Sequence, residues 1–311
     1  MGPRTKNSRT VKPLIINGLK GRVLSVPTTK KTSKREILLI YGHHASIERM
    51  LGIAENMAEY GNVTMPDLPG FGGMDSFYKI GEKPNLDKLA DYLATFIKLK
   101  YKKRHLTIGA MSFGFEITTR MLQKYPELCK QVDLLVSLVG FSKYSDFKFK
   151  SRNLLTFKIV SRCFSFYLPS LFLKYIVLRG PIIRLSYYSV ADKHVKMKDA
   201  SKEERNERIK FEIVLWQCND IRTYMYTGHT MLTSDLTRYS VDVPVAHVSV
   251  NGDQYFNNAQ VAKNLKKIYK KVDVYKAKMP NHAPTVISEA TEAAEFMPMP
   301  LRRLLERSPN K

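Results

Sequence analysis

One serine of this chain stands where it can become a nucleophile. Residues 105–110 (HLTIGA) form a short apolar run of the buried-strand type, which passes through Met111-Ser112-Phe113-Gly114 straight into a helical pattern over 115–124. A serine on so sharp a strand-to-helix turn has its hydroxyl lifted clear of the sheet. The small residues Ala110 and Gly114 let the backbones of the turn approach one another. The helix N-terminus that follows favours developing negative charge. An ordinary strand-to-helix turn has the same look, so a base and an acid must be found to go with Ser112.

The base is expected at His282, in Asn281-His282-Ala283-Pro284, just past the last strand-like run. The chain holds seven histidines, so a plain surface histidine is the competing reading. The acid is expected at Asp253, in the turn Asn251-Gly252-Asp253-Gln254-Tyr255 after the apolar run 243–250. A carboxylate there would fix the histidine tautomer and stabilise the imidazolium, although aspartate also forms turns for its own sake. Asp146, a few residues after the run 132–139, is the alternative acid. Tyr41-Gly42-His43-His44 follows the apolar run 36–41. Backbone amides at His43 and Phe113 are the expected oxyanion hole.

These residues need a frame. Residues 14–26 read as a hairpin around Asn17-Gly18, with 1–13 as a basic disordered arm. Buried-strand runs at 36–41, 63–65, 105–110 and 132–139 alternate with helical patterns at 47–60, 86–100 and 115–124. Such alternation predicts an α/β fold with a mostly parallel sheet covered on both faces. It breaks over 142–240, which read as several helices, and resumes with a strand at 243–250, a helix at 258–271 and a strand at 272–277. The expected organisation is thus a core of 14–141 and 241–297, a helical insertion at 142–240 and a basic tail at 298–311 with room for one short amphipathic turn.

The ordered motifs resemble those of the α/β-hydrolase superfamily, in its serine-nucleophile, cap-bearing branch. MPDLPGFGGMD (65–75) is similar to that branch's D-x-P-G-x-G loop. YGHH (41–44) stands where many members have H-G-x-x, AMSFG (110–114) at G-x-S-x-G, and NHAP (281–284) at G-H-x-P. The resemblance spans 36–140 and 241–290, and the gap falls where the family inserts its cap. It implies cleavage of an ester, thioester or amide through an acyl-enzyme on Ser112, since members that open epoxides or remove halides carry aspartate at the elbow. Three positions depart from the pattern: Tyr41, Ala110 and Tyr255, the last standing where the family usually has its acid. Asp253 comes two residues early, so Asp253, Asp146 or a Ser-His dyad all remain open. So does a non-catalytic binding protein on the same fold.

Composition adds a partner question. The 311 residues are 44% hydrophobic and 25% charged, with 51 Lys+Arg against 28 Asp+Glu, a formal net charge of +23. That excess attracts anions, or it is simply spread over a solvated surface. No arginine-rich repeat or zinc-finger spacing marks a nucleic-acid reader. Residues 153–190 mix aromatic and aliphatic side chains with Lys and Arg, which suits an acyl-pocket lining, a surface that meets anionic lipid, or plain packing of the insertion. A small-molecule or lipid-like ester is the expected substrate. Trp216, Tyr224 and Tyr226 could face a pocket or pack the insertion, and Ser201 with Glu204 marks a helix start within it. Cys129, Cys163 and Cys218 lack metal-ligand or CxxC spacing, which suits free, mostly buried thiols in a reducing compartment. The basic, polar N-terminus does not read as a signal peptide, and the longest apolar stretch, 167–178, is broken by Pro169 and Lys174. A cytoplasmic protein without metal or organic cofactor is expected.

Overall fold

The computed structural model describes residues 9–30, 33–190, 201–278 and 293–307. Its sheet begins with a hairpin. Strands β1 (Thr10–Ile16) and β2 (Leu19–Val26) pair antiparallel from Thr10 with Ser25 to Ile16 with Leu19. The turn residues Asn17 and Gly18 both take positive φ, 51° and 79°. A two-residue turn that follows strand twist demands this, and Asn and Gly tolerate it best. Thr10–Pro13, expected in a disordered arm, therefore belong to β1. Their side chains are all exposed, so no apolar pattern marks them, and it is the ladder to β2 that orders them.

The remaining strands are β3 (Glu36–Ile40), β4 (Asn62–Pro66), β5 (Leu106–Met111), β6 (Val132–Leu138), β7 (Val245–Val250) and β8 (Val272–Ala277). They assemble in the order β1-β2-β4-β3-β5-β6-β7-β8. The β2–β4 pair is antiparallel, and every pair from β4 to β8 is parallel. All residues of β5 and β7 are buried, so neither face of the sheet meets water there. This is the doubly covered, mostly parallel sheet expected from the alternation.

Helices α1 (Leu51–Met57), α2 (Leu86–Tyr101) and α3 (Phe113–Lys124) connect the first parallel strands. Between β6 and β7 the chain makes α4 (Ser151–Phe164), α5 (Tyr167–Phe172), a π turn (Leu173–Val177), α6 (Gly180–Val190), α7 (Lys202–Cys218) and α8 (Ile221–Met231). The start of α7 is a capping box: the Glu204 amide donates to the Ser201 hydroxyl at 3.1 Å, and the Ser201 amide to the Glu204 carboxylate at 2.9 Å. Helix α9 (Asn258–Ile268) lies between β7 and β8.

Met299–Glu306, where the sequence suggests one short amphipathic turn, is a full helix, α10, with Leu301 and Leu305 buried in the main core. Their spacing of four puts both on one face. Arg302 donates to the carbonyls of Met297 and Ala294, and Arg35 to that of Arg307, so part of the basic character here ties down backbone. The three cysteines are free, but none is fully buried: Cys129 and Cys218 are half-buried and Cys163 is exposed.

Replacing Leu305 by Ala should lower the unfolding free energy by about 2–4 kcal/mol, because it opens a cavity in the core. Arg303→Ala, on the exposed side of α10, should stay within about 0.5 kcal/mol of wild type. Urea denaturation measures both.

Candidate active site

Strand β5 ends at Met111 and α3 begins at Phe113, which leaves Ser112 alone to turn the chain. It does so at φ 48°, ψ −117°, a region that residues with a Cβ seldom occupy. Its amide donates to the Leu138 carbonyl at 2.9 Å, and its carbonyl accepts from the Phe115 amide at 3.0 Å. Met111 and Phe113 are buried on either side, while Ser112 keeps partial exposure.

The elbow is packed from behind and from the side. A Cβ on Gly114 would lie 2.8 Å from the Ile40 carbonyl oxygen, so the end of β3 requires glycine there. A Cβ on Gly42 would lie 3.1 Å from Ser112 Cβ and 3.2 Å from the Met111 carbonyl oxygen. The loop 41–44 thus presses directly on the elbow and brings His43 and Phe113 to one corner, their rings edge to face with centroids 5.7 Å apart. Phe113 is the first residue of α3, so its amide has no acceptor within the helix.

The His43 side chain plays a different part from its backbone. Its Nε2 lies 3.0 Å from the Tyr224 carbonyl and 3.0 Å from Thr227 Oγ1. A carbonyl only accepts, so Nε2 carries the proton. Burial, with a smaller push from His44, takes the ring down to about 3, so it stays neutral at physiological pH. Its tilted stack on Tyr224, at 4.1 Å between centroids, joins this loop to α8.

His44, at φ 54°, makes a second joint. Its Nε2 lies 2.9 Å from Glu212 Oε2, and Arg49 bonds the other oxygen of the same carboxylate. Arg49 also donates to the His44 carbonyl at 2.8 Å. The Arg49 and Glu212 side chains are only 6% and 7% exposed, so this pair spans the boundary between core and insertion away from water. Trp216, one turn further along α7, stacks on His44 with centroids 4.3 Å apart. Behind it lies a cavity of about 470 Å³ lined by Lys174, Tyr175, Leu178, Arg179 and Trp216 among others. Of the aromatic group singled out from sequence, Trp216 and Tyr224 therefore touch the site loop. Arg49 and Glu212 carry no local sequence signal that would have paired them.

The loop 67–73 seats the insertion from the other side. The Asp220 amide donates to the Gly70 carbonyl at 2.8 Å, and the Gly72 amide to Asn219 Oδ1 at 2.9 Å. Asp67 is fully buried, bonded by Arg22 Nε at 2.8 Å and by the Tyr41 hydroxyl at 3.2 Å. Burial pushes its carboxyl up to about 7, while the Arg22 guanidinium pulls the other way. Gly72 stands at φ 60°, and a Cβ there would fall 2.9 Å from Asp67 Cγ. Tyr41 accepts the Leu68 amide at 2.6 Å and so braces this loop.

The two candidate acids lie in loops that touch. Phe147 bridges Phe256, and the Asn257 amide donates to the Asp146 carbonyl at 2.8 Å. Both carboxylate oxygens of Asp146 are engaged: Oδ1 by Asn264 Nδ2 at 2.6 Å, and Oδ2 by the amides of Ser142 and Lys143, each at 3.0 Å. Burial raises its pKa and these donors oppose the shift. Asp253 accepts the Tyr255 and Phe256 amides at 2.8 and 3.0 Å, both on Oδ1. His282 lies outside the described residues.

No protein-family model and no curated protein matches the sequence. Solved structures do. An epoxide hydrolase superposes with a TM-score of 0.67 at 14% identity, covering 96% of this chain and 98% of its own. A bacterial membrane phospholipase A gives 0.65 at 14% identity, over 96% and 87%. An enol-lactonase from Burkholderia xenovorans gives 0.65 at 11%, over 95% and 98%. The chain has the α/β-hydrolase fold. Within that fold, Ser112 occupies the strand-to-helix elbow after β5, and the helical insertion reaches the site loops through Glu212, Trp216, Asn219 and Tyr224.

Removing one side of the buried pair should be costly. Glu212→Leu strands the Arg49 charge and should lower stability by about 3 kcal/mol, whereas the double variant Arg49→Met/Glu212→Leu should recover most of that loss. Thermal or urea unfolding of the two variants decides it; equal losses would mean that the pair contributes little.

Proposed function

We propose that this chain is a serine hydrolase that cleaves a carboxylic ester, or the related thioester or amide, through an acyl-enzyme. The observation that supports this most strongly is the backbone of Ser112: a non-glycine residue at φ 48° with Phe113 starting a helix beside it. Strain of this kind is retained where it serves a site. The similar structures include proteins named as a phospholipase A and an enol-lactonase, which is in keeping with an acyl substrate. The likeness to an epoxide hydrolase fits less well, because serine, not aspartate, holds the elbow.

In this reading Ser112 Oγ attacks the acyl carbon and passes its proton to His282. The amides of His43 and Phe113 bind the carbonyl oxygen as it becomes negative. The tetrahedral intermediate collapses, and the leaving alcohol takes the proton from His282. Water then attacks the acyl-enzyme with His282 as base, which frees the acid and restores Ser112. Asp253, in the turn after β7, is the proposed orienting acid, in the chain order serine, acid, histidine; Asp146 joins the loops after β6 and β7 through Asn264 and two amides. The insertion acts as a cap over the acyl group, with Trp216 and Tyr224 in its wall.

A fluorophosphonate probe should add to the wild-type protein and leave Ser112→Ala and His282→Ala unlabelled, read by intact mass. With p-nitrophenyl esters, Asp253→Asn should lower kcat by up to about 10⁴-fold. Asp146→Asn should act mainly on stability. Activity should fall as pH drops through the ordinary histidine range, near about 6.5, because the base must be neutral. His43 cannot produce that limb, since it titrates only near 3. A folded protein that takes no label would be a ligand-binding protein that shares the fold and lacks the chemistry.

A further inference from the structure

The first two helices of the insertion are built with their polarity reversed. Along α4 and α5 the residues fully turned inward are serines: Ser161, Ser165 and Ser170 are buried. Their hydroxyls are spent on nearby backbone, on the carbonyls of Lys158, Arg162 and Tyr167. Small side chains there allow α4 and α5 to pack closely on α8. Large apolar side chains point outward instead. Leu155, Ile159, Leu168, Phe172, Ile176 and Leu185 are between 53% and 75% exposed. A water-facing helix ordinarily shows the opposite pattern, and an exposed apolar surface of this extent marks an interaction site.

The charge on this surface has one sign. From Phe147 to Ala191 the chain carries eight Lys and Arg and no Asp or Glu. Several of these cations lie beside aromatic rings, Arg162 at 5.3 Å from the Phe166 centroid and Lys174 at 5.8 Å from that of Tyr175. Lys174, Tyr175 and Arg179 also line the cavity behind Trp216. Tyrosine and the long basic side chains suit an apolar–polar boundary, where the ring or stem is buried and the polar end is wet.

We propose that the outward side of α4, α5, the π turn and α6 docks on the surface of an anionic lipid bilayer. Aliphatic side chains enter the headgroup boundary while the lysines and arginines meet lipid phosphates and carboxylates. No helix among the described residues is long and apolar enough to cross a membrane, so the contact is peripheral. A second copy of the chain fits poorly, because a two-fold contact would set this cationic surface against itself with no acid to balance it. A nucleic acid would use the cations and some rings but would gain nothing from exposed leucine and isoleucine.

The test is flotation with vesicles of phosphatidylcholine alone and of phosphatidylcholine with phosphatidylglycerol. The full chain should bind the anionic vesicles, weakly or not at all the neutral ones, and less as salt is raised. Leu168→Asp/Leu185→Asp changes two side chains that are 75% and 72% exposed, so the fold should survive, as circular dichroism and melting would verify. It should lower the partition constant by at least about ten-fold. Arg152→Glu/Arg184→Glu should lower it as well. Ser112→Ala should bind like wild type, which keeps this result separate from that of the hydrolase reading. Failure to float with anionic vesicles would overturn the proposal. So would binding that the two leucine changes leave intact, which would reduce it to net charge alone. A dimer in light scattering that those changes dissociate would assign the surface to a second copy instead.

Discussion

A serine at φ 48° has to be held there. Such a conformation costs on the order of 1–3 kcal/mol, and the surrounding structure must over-determine it. Three things do so here. The hydrogen bond to Leu138 locks the end of β5 to β6, and the first turn of α3 takes the serine's own carbonyl. Glycine at 114 lets the end of β3 lie against the helix, where any Cβ would meet the Ile40 carbonyl. The parallel order β3-β5-β6 is thus a mechanical requirement of the elbow, because it delivers the ends of three strands to one place.

The same close packing fixes the loop that follows β3. Gly42 lies against Ser112, so the backbone of 41–44 is placed by contact with the elbow itself. What remains adjustable is the side chains of that loop, and the chain uses all three of them as braces. Tyr41 holds the loop 67–73, His43 bonds the backbone of α8, and His44 shares the Glu212 carboxylate with Arg49. The insertion is consequently seated on the loops that shape the site. A shift of α7 or α8 would be felt at the amides beside Ser112, and a buried charge pair makes such a shift expensive.

Much of this was legible in the sequence where physics is local. Runs such as 105–110 and 243–250 announce buried strands because both faces of a parallel strand are covered, and the Ser201–Glu204 box marks a helix start because its bonds close within three residues. The contacts that join the parts are not local. Arg49 and Glu212 are 163 positions apart, and nothing in either neighbourhood shows that they meet. Residues 10–13 of β1 show no pattern because their side chains are all exposed, although 14–26 reads as a hairpin, and α10 is longer than the single amphipathic turn that two leucines among basic residues suggest. The reversed helices α4 and α5 are the instructive case: their composition suits a packed interior, and only exposure shows which side is turned out.

The acid is where sequence register and loop geometry separate. In the motif pattern the sequence resembles, an acid would fall at position 255, where this chain has Tyr255; the carboxylate at 253 bends back to accept the amides of residues 255 and 256. That Asx-type closure tightens the turn after β7. An acid two residues early in sequence can therefore lie near the place where the turn would otherwise have presented a later one. Asp146 shows the contrary arrangement. Three donors surround it from its own loop and from α9, so its charge is consumed in joining the loops after β6 and β7. Asp253 holds its candidacy by its place in the turn after β7, because the order serine, acid, histidine along the chain puts the orienting carboxylate there.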